Sequence, residues 1–162
     1  SSEIRKDGLI GRGPTLVESD IFDEKGDGLL TGSHDGYLNS LGVIHRRMIY
    51  LNAKGEDIRG EDILIRKSGP GRKVSPGFDV RFHIHPDITL SLQSGANKVL
   101  LRLPNSEYWQ FYCQGADLTL GESLYLGEAA RLQNCRQIIL SGTAKAAETV
   151  IKWSLYKVEG TS

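Results

Sequence analysis

From Thr15 to Val158 the chain is a succession of short runs in which apolar and polar residues alternate. Each run is cut off by Gly, Pro, Asn or Asp, and no 3.6-residue apolar period competes anywhere. A parallel sheet needs a crossover helix between successive strands, and this cadence leaves no room for one. The predicted strands are Thr15 to Phe22, Gly28 to Gly32, Gly42 to Asn52, Ile58 to Lys67, Phe78 to His85, Ile88 to Gln93, Lys98 to Leu103, Glu107 to Cys113, Asp117 to Leu120, Ser123 to Leu126, Arg136 to Ser141 and Thr149 to Val158. Strands this short and this evenly spaced predict an all-β fold, an antiparallel multi-stranded β-sandwich. In the last strand Ile151, Trp153 and Leu155 share one face while Lys152 and Ser154 share the other, so one side is core and the other wet.

Two segments stand outside this pattern. Residues 1–14, with Gly8, Gly11, Gly13 and Pro14, have no period and read as a lead-in, which leaves 15–158 as a single sandwich domain. Ser68 to Gly77 is dense in Gly, Pro, Lys and Arg and reads as an exposed loop, the best place for disorder in the chain.

Charge narrows the function. The 20 basic and 20 acidic residues cancel, which removes the overall electrostatic case for a nucleic-acid partner. No apolar run approaches the ~20 residues a membrane span requires. Cys113 and Cys135 are too few for a disulfide framework and sit in strand-like runs, where free thiols are usually buried.

Chemistry-bearing residues concentrate between Ser33 and Arg47, a stretch holding two of the chain's four histidines. Period-two counting puts Val43, His45, Arg47, Ile49 and Leu51 on one face and Ile44, Arg46, Met48 and Tyr50 on the other. Both faces mix apolar and charged groups, so His45 reads as a hydrogen-bonded structural histidine. His34-Asp-Gly-Tyr falls between two predicted strands, where functional groups tend to be presented. There an imidazole beside a carboxylate and a phenol offers a base, its orienting partner and an acid. The plainer alternative is an Asp-Gly turn that Tyr37 anchors to the core.

Three other clusters carry less. His83 and His85 share a face with Arg81, opposite Phe78, Val80, Phe82 and Ile84. A metal there lacks a third ligand and meets the arginine's charge, so a polar sheet face is the preferred reading, and no metal ligand is assigned. The Gly-Glu-Asp copies beginning at Gly55 and Gly60 read as acidic turn or strand-end elements. Among the aromatics, Trp109 and Phe111 read as core, whereas Tyr108 and Tyr112 on the other face are suited to stacking on sugar rings. Nucleophile elbows, phosphate loops and dinucleotide fingerprints are absent from the sequence.

His34-Asp-Gly-Tyr, Gly42-Val-Ile-His-Arg-Arg, Arg59-Gly-Glu-Asp, Val80-Arg-Phe-His-Ile-His-Pro, Leu101-Arg-Leu-Pro and Ser123-Leu-Tyr-Leu-Gly, in that order, resemble the carboxy-terminal β-sandwich of the heparinase II/III-like proteins, in particular their alphaproteobacterial branch. The resemblance covers roughly residues 15 to 156. It implies a longer protein in which an α/α toroid precedes the sandwich and acidic polysaccharides are cleaved by β-elimination, in the cell envelope or periplasm. Such chemistry needs a neutraliser for the uronate carboxylate, a base, and an acid for the departing oxygen.

The implied partners are an acidic polysaccharide or oligosaccharide and the amino-terminal helical domain, which this sequence lacks. The chain alone is expected to be inactive. No cofactor is implied for it; a divalent metal belongs to the full-length protein, and His83-Ile-His85 lies too late in the sequence to be the family's metal-binding His-x-His. His34 and Tyr37 are the residues expected to border the substrate cleft, and Arg46 and Arg47 the expected anion contacts. The competing expectation is a non-catalytic carbohydrate-binding or structural sandwich.

Overall fold

The computed structural model describes residues 13–67, 75–93, 95, 97–126 and 132–158. The predicted lead-in and the predicted disordered loop lie largely outside these residues. Eleven strands and one short helix are described: β1 (Val17–Glu24), β2 (Asp27–Tyr37), α1 (Leu38–Leu41), β3 (Val43–Leu51), β4 (Asp57–Arg66), β5 (Gly77–Ile84), β6 (Thr89–Leu92), β7 (Lys98–Arg102), β8 (Tyr108–Gln114), β9 (Asp117–Leu126), β10 (Leu132–Thr143) and β11 (Glu148–Val158). They form an eight-stranded sheet in the order β1-β2-β3-β4-β11-β8-β7-β6 and a three-stranded sheet in the order β5-β10-β9. Every pairing is antiparallel. The antiparallel sandwich expected from the cadence is the fold. No helix among the described residues is long and apolar enough to cross a membrane.

The small sheet covers only part of the large one. Val80, Ile138 and Leu140 face Leu64, Ile151, Phe111, Cys113, Val99, Leu101 and Leu90 across the sandwich, and all are buried. Phe82 of β5 wedges between two rings of the large sheet, 5.0 Å from Phe111 and 4.9 Å from Trp153 by ring centroid. As expected, Ile151 and Trp153 face this core, and both cysteines are buried free thiols. Burial pushes the Cys113 thiol up to about 11, so it stays protonated and unreactive. At the other end of the large sheet nothing described lies over β1, whose residues are exposed from Val17 to Glu24.

Three local expectations fail for physical reasons. His34 to Tyr37 does not lie between strands: it is the end of β2, distorted by a register shift between His34 and Tyr37 against β3. The chain then turns through α1, which Gly42 closes at φ 70° by donating its N–H to the Leu38 carbonyl. Asp117 to Leu126 is one strand rather than two, because Gly121 sits opposite Gln137 without a break. A Cβ there would come within 2.8 Å of the Ile139 side chain, so the glycine serves close packing and not a turn. Finally, β10 begins at Leu132 although Gln133 and Asn134 are poor strand formers, since pairing with Tyr125 and Leu124 overrides propensity.

Candidate functional site

Where the covered and uncovered parts of the large sheet meet, β2, β3, β4 and β11 bring polar side chains together on the inner face. Register places His34 opposite His45, Arg47 opposite Asp62, and Ile151 opposite Asp62. At the centre is Asp62, whose side chain is 0% exposed. Its Oδ1 accepts from His45 Nε2 at 2.7 Å and Arg47 Nε at 2.7 Å; its Oδ2 accepts from Arg47 Nη2 at 3.1 Å and Trp153 Nε1 at 2.9 Å. Burial pushes this carboxyl up, but the hydrogen bonds from His45, Arg47 and Trp153 together outweigh it and hold it below the usual carboxylate value. The Asp62 carboxylate is therefore ionised, buried and fully bonded.

Gly60 makes the Trp153 contact feasible. A Cβ at Gly60 would lie 2.0 Å from the indole ring, so only glycine lets the ring lie flat over β4 and turn its N–H to the carboxylate two residues on. The reading of Gly60-Glu-Asp as a turn or strand end is thus corrected: it is the middle of β4. Asp62 and Trp153 are the residues that sequence reasoning missed. The available signal was Asp62 alternating with Gly60 and Leu64 on the inner face, an acid on an otherwise apolar side.

The chain of bonds continues to the surface. His45 Nδ1 lies 3.2 Å from His34 Nε2, and the Gly36 N–H donates to His34 Nδ1 at 3.2 Å. This backbone donor fixes the tautomers. With Nδ1 of His34 accepting, its Nε2 carries the proton and donates to His45 Nδ1, and His45 Nε2–H in turn donates to Asp62. Burial, followed by the neighbouring His45, lowers the His34 pKa and favours this neutral state. His45 is the hydrogen-bonded histidine that face counting predicted.

Asp35, the expected orienting partner of His34, turns the other way. Its carboxylate accepts from the Thr15 N–H at 2.8 Å, the Thr15 hydroxyl at 2.5 Å and the Leu16 N–H at 3.1 Å, which fastens the chain ahead of β1. His45 orients His34 instead. Tyr37 packs its ring 5.2 Å from that of His34, half-buried, and its phenol has no hydrogen bond among the described residues.

Two grooves of about 300 Å³ each flank the network and share His45 and Arg47. One runs past Tyr37, Asp79 and Arg81 towards β5, and the other past His34, Val17 and Leu30 towards β1. Arg47, with 37% of its side chain exposed, spends Nε and Nη2 on Asp62. Arg46 is exposed on the opposite face of β3 and does not share a groove with His34.

His83 and His85 do lie on the outer face of the small sheet. His83 Nδ1 bonds the Ser123 hydroxyl at 2.8 Å, while His85 rests against the Tyr125 ring at 4.8 Å. Arg81 on the same face pairs with Asp79 at 2.6 Å. Among the described residues no three His, Cys, Asp or Glu side chains converge as metal ligands. The described residues alone thus do not supply a complete ligand set for the divalent metal that the family resemblance implies for complete proteins.

Comparison with known proteins accounts for this architecture. The sequence matches the family described as "Heparinase II/III-like, C-terminal" over residues 1–154. The curated FtsZ-localized protein C of Caulobacter vibrioides is 29% identical over 153 residues, a match covering 91% of this chain and 26% of that protein. The heparan sulfate lyase HepC of Pedobacter heparinus superposes with a TM-score of 0.75 at 14% identity, over 91% of this chain and 22% of that one. A heparinase III gives 0.67 at 10% identity, over 89% and 22%. The chain thus spans about a quarter of the length of the curated relative it matches. On the family match across nearly its whole length, the chain belongs to the heparinase II/III-like family, as its C-terminal β-sandwich.

Proposed function

We propose that this sandwich forms one wall of a glycan cleft in a longer polysaccharide lyase that acts by β-elimination on uronic-acid-containing chains, and that it does not perform the elimination alone. The observation that carries the reading is the committed state of His34. Its one acceptor nitrogen is occupied by the Gly36 N–H and its N–H is spent on His45, so it shapes the wall rather than abstracting a proton. Tyr37 presents an unbonded phenol beside it. Arg47 has Nη1 left to meet a glycan carboxylate, and Arg46 meets anions only from the opposite face. The second wall, the base and the acid come from the amino-terminal helical domain, as does any divalent metal.

The test is the ultraviolet absorbance of unsaturated products released from heparan-type, alginate-type and other uronate polysaccharides. The full-length protein is expected to release them and this chain is not, and Tyr37→Phe in the full-length protein is expected to slow release. Activity in this chain alone sinks the proposed division of labour, and activity in neither sinks the lyase reading.

A second reading, a non-catalytic binding or structural domain, has one specific support. The curated relative is named for localisation with FtsZ and not for cleavage of a polysaccharide.

A further inference from the structure

The opposite face of the large sheet carries a feature that the inner-face site does not use. An open groove of about 810 Å³ runs across β3, β4, β11 and β8, the largest cavity described. Strand register builds it: Leu29 pairs with Tyr50, Tyr50 with Arg59, Arg59 with Ser154, Ser154 with Tyr112, and Tyr112 with Lys98, so one continuous row of side chains crosses six strands. Small Ser154 makes the floor. Tyr50 and Tyr112, three strands apart and hence ~14 Å from one another, stand on either side, and Tyr156 lies two residues along β11 from the floor.

Each of these rings is held by its own partner. Tyr50 donates its hydroxyl to Asp27 at 2.9 Å, Tyr156 donates to Gln110 Oε1 at 2.6 Å, and the Lys98 ammonium sits 5.9 Å from the Tyr112 ring centre. Rings fixed in advance lose little side-chain freedom when something stacks on them. Tyr112 remains 38% exposed. Tyr108, the other ring expected to meet sugars, is not among the groove's lining residues.

The charges in the groove decide the class of ligand. Three cations and three carboxylates line it, and they pair: Arg59 with Asp57 at 2.6 Å, Lys152 with Glu61 at 3.3 Å, and Lys157 with Glu56 at 3.6 Å. A polyanion entering here would meet as many carboxylates as cations. A neutral chain of sugar rings meets no such opposition: its apolar ring faces suit the tyrosines, and its hydroxyls suit Ser154, Gln114 and the paired charges around them.

We infer that this outer groove is a binding site for an uncharged oligosaccharide or polysaccharide stretch, separate from the inner-face cleft and different from it in ligand charge. The site stands on geometry independent of the lyase reading, and each can fail without the other.

Affinity gel electrophoresis of the full-length protein tests it, with soluble neutral glucans, xylan and mannan in the gel and heparin in a parallel gel. Retardation by at least one neutral polysaccharide is expected, little changed by added salt. Tyr112→Ala should weaken it about tenfold, and Ser154→Arg, which fills the floor at a half-buried surface position, should abolish it. Circular dichroism of both variants checks that the sandwich is intact. Absence of retardation by every neutral polysaccharide overturns the inference. So does retardation that both variants retain, or retardation by heparin alone that salt removes. Product release in the absorbance assay is unaffected by any of these outcomes and reports separately on the inner cleft.

Discussion

The two ends of the eight-stranded sheet have the same backbone and opposite fates. From β4 to β6 most of the inner face is covered by β5, β10 and β9, and apolar residues at its centre are withdrawn from solvent: Val99 and Ile151 are 0% exposed. From β1 to β3 the same face, in continuous register, carries Val17, Ile21 and Leu30 in the open, with Ile21 at 79%. Strands are paired in antiparallel ladders at both ends, so hydrogen bonding alone does not account for the difference. What differs is what lies on top, and the burial that contributes ~25 cal/mol per Å² of apolar surface is realised mainly at one end. The Asp62 network sits on the boundary, and that position lets a buried carboxylate connect to a half-exposed imidazole.

The comparison breaks most visibly at the boundary itself. Asp62→Ala removes the acceptor for four donors, of which the Trp153 N–H is fully enclosed. Loss of one partner of a buried, bonded charge costs about 3–5 kcal/mol. Asp57→Ala also breaks an arginine pair, but Arg59 is 67% exposed, and such a pair is worth no more than about 1 kcal/mol. Urea unfolding midpoints of the two variants measure the contrast. Equal midpoints would mean that the network does not anchor β3 and β4 to β11.

The same division explains which features the sequence disclosed. Period-two alternation is a consequence of one-sided burial, so β5 and β11, with a core face and a wet face, could be read directly, down to Trp153 and Ile151 pointing inward. The network could not. Asp62 lies in an acidic tripeptide that looks like a turn, and its burial depends on Gly60 admitting the Trp153 ring, a contact between residues ninety-one positions from Asp62 to Trp153. His34-Asp-Gly-Tyr misled in the opposite direction. Its Asp-Gly pair suggests a loop with His and Asp as partners, whereas the β2 register shift turns Asp35 towards Thr15 and leaves His34 to β3. In both cases the deciding partner is remote in sequence, and local pattern carries no record of it.

A smaller effect is expected from acidity. The pKa of His34 in the fold is held below the 6.5 of a free imidazole, chiefly by burial. Between those two values the unfolded chain binds a proton that the folded chain does not, so stability rises with pH there. Lowering the pH from about 8 towards about 5 should therefore lower the unfolding midpoint once it passes the free imidazole value, and the decline should level off below the folded pKa. His34→Gln should flatten that part of the curve. An unchanged slope in the variant would show that the fold does not hold the His34 pKa below that of a free imidazole.

The smallest effect is the most informative about the open end. Ile21 lies on the inner face of β1, level with Leu30 and Ile49 in register, a position that in a covered sheet would be core. It is 79% exposed, and nothing among the described residues lies above it. Ile21→Ser should then shift the unfolding free energy of this chain by no more than about 0.5 kcal/mol, the range of ordinary surface positions. In the full-length protein the same substitution should cost several times more if the additional chain lies over β1 to β3, because burying an isoleucine contributes about 1.5–3 kcal/mol. Equal costs in the two proteins would mean that the open face stays open. A larger cost only in the longer protein would identify β1 to β3 as the seam along which the sandwich joins the rest of the molecule.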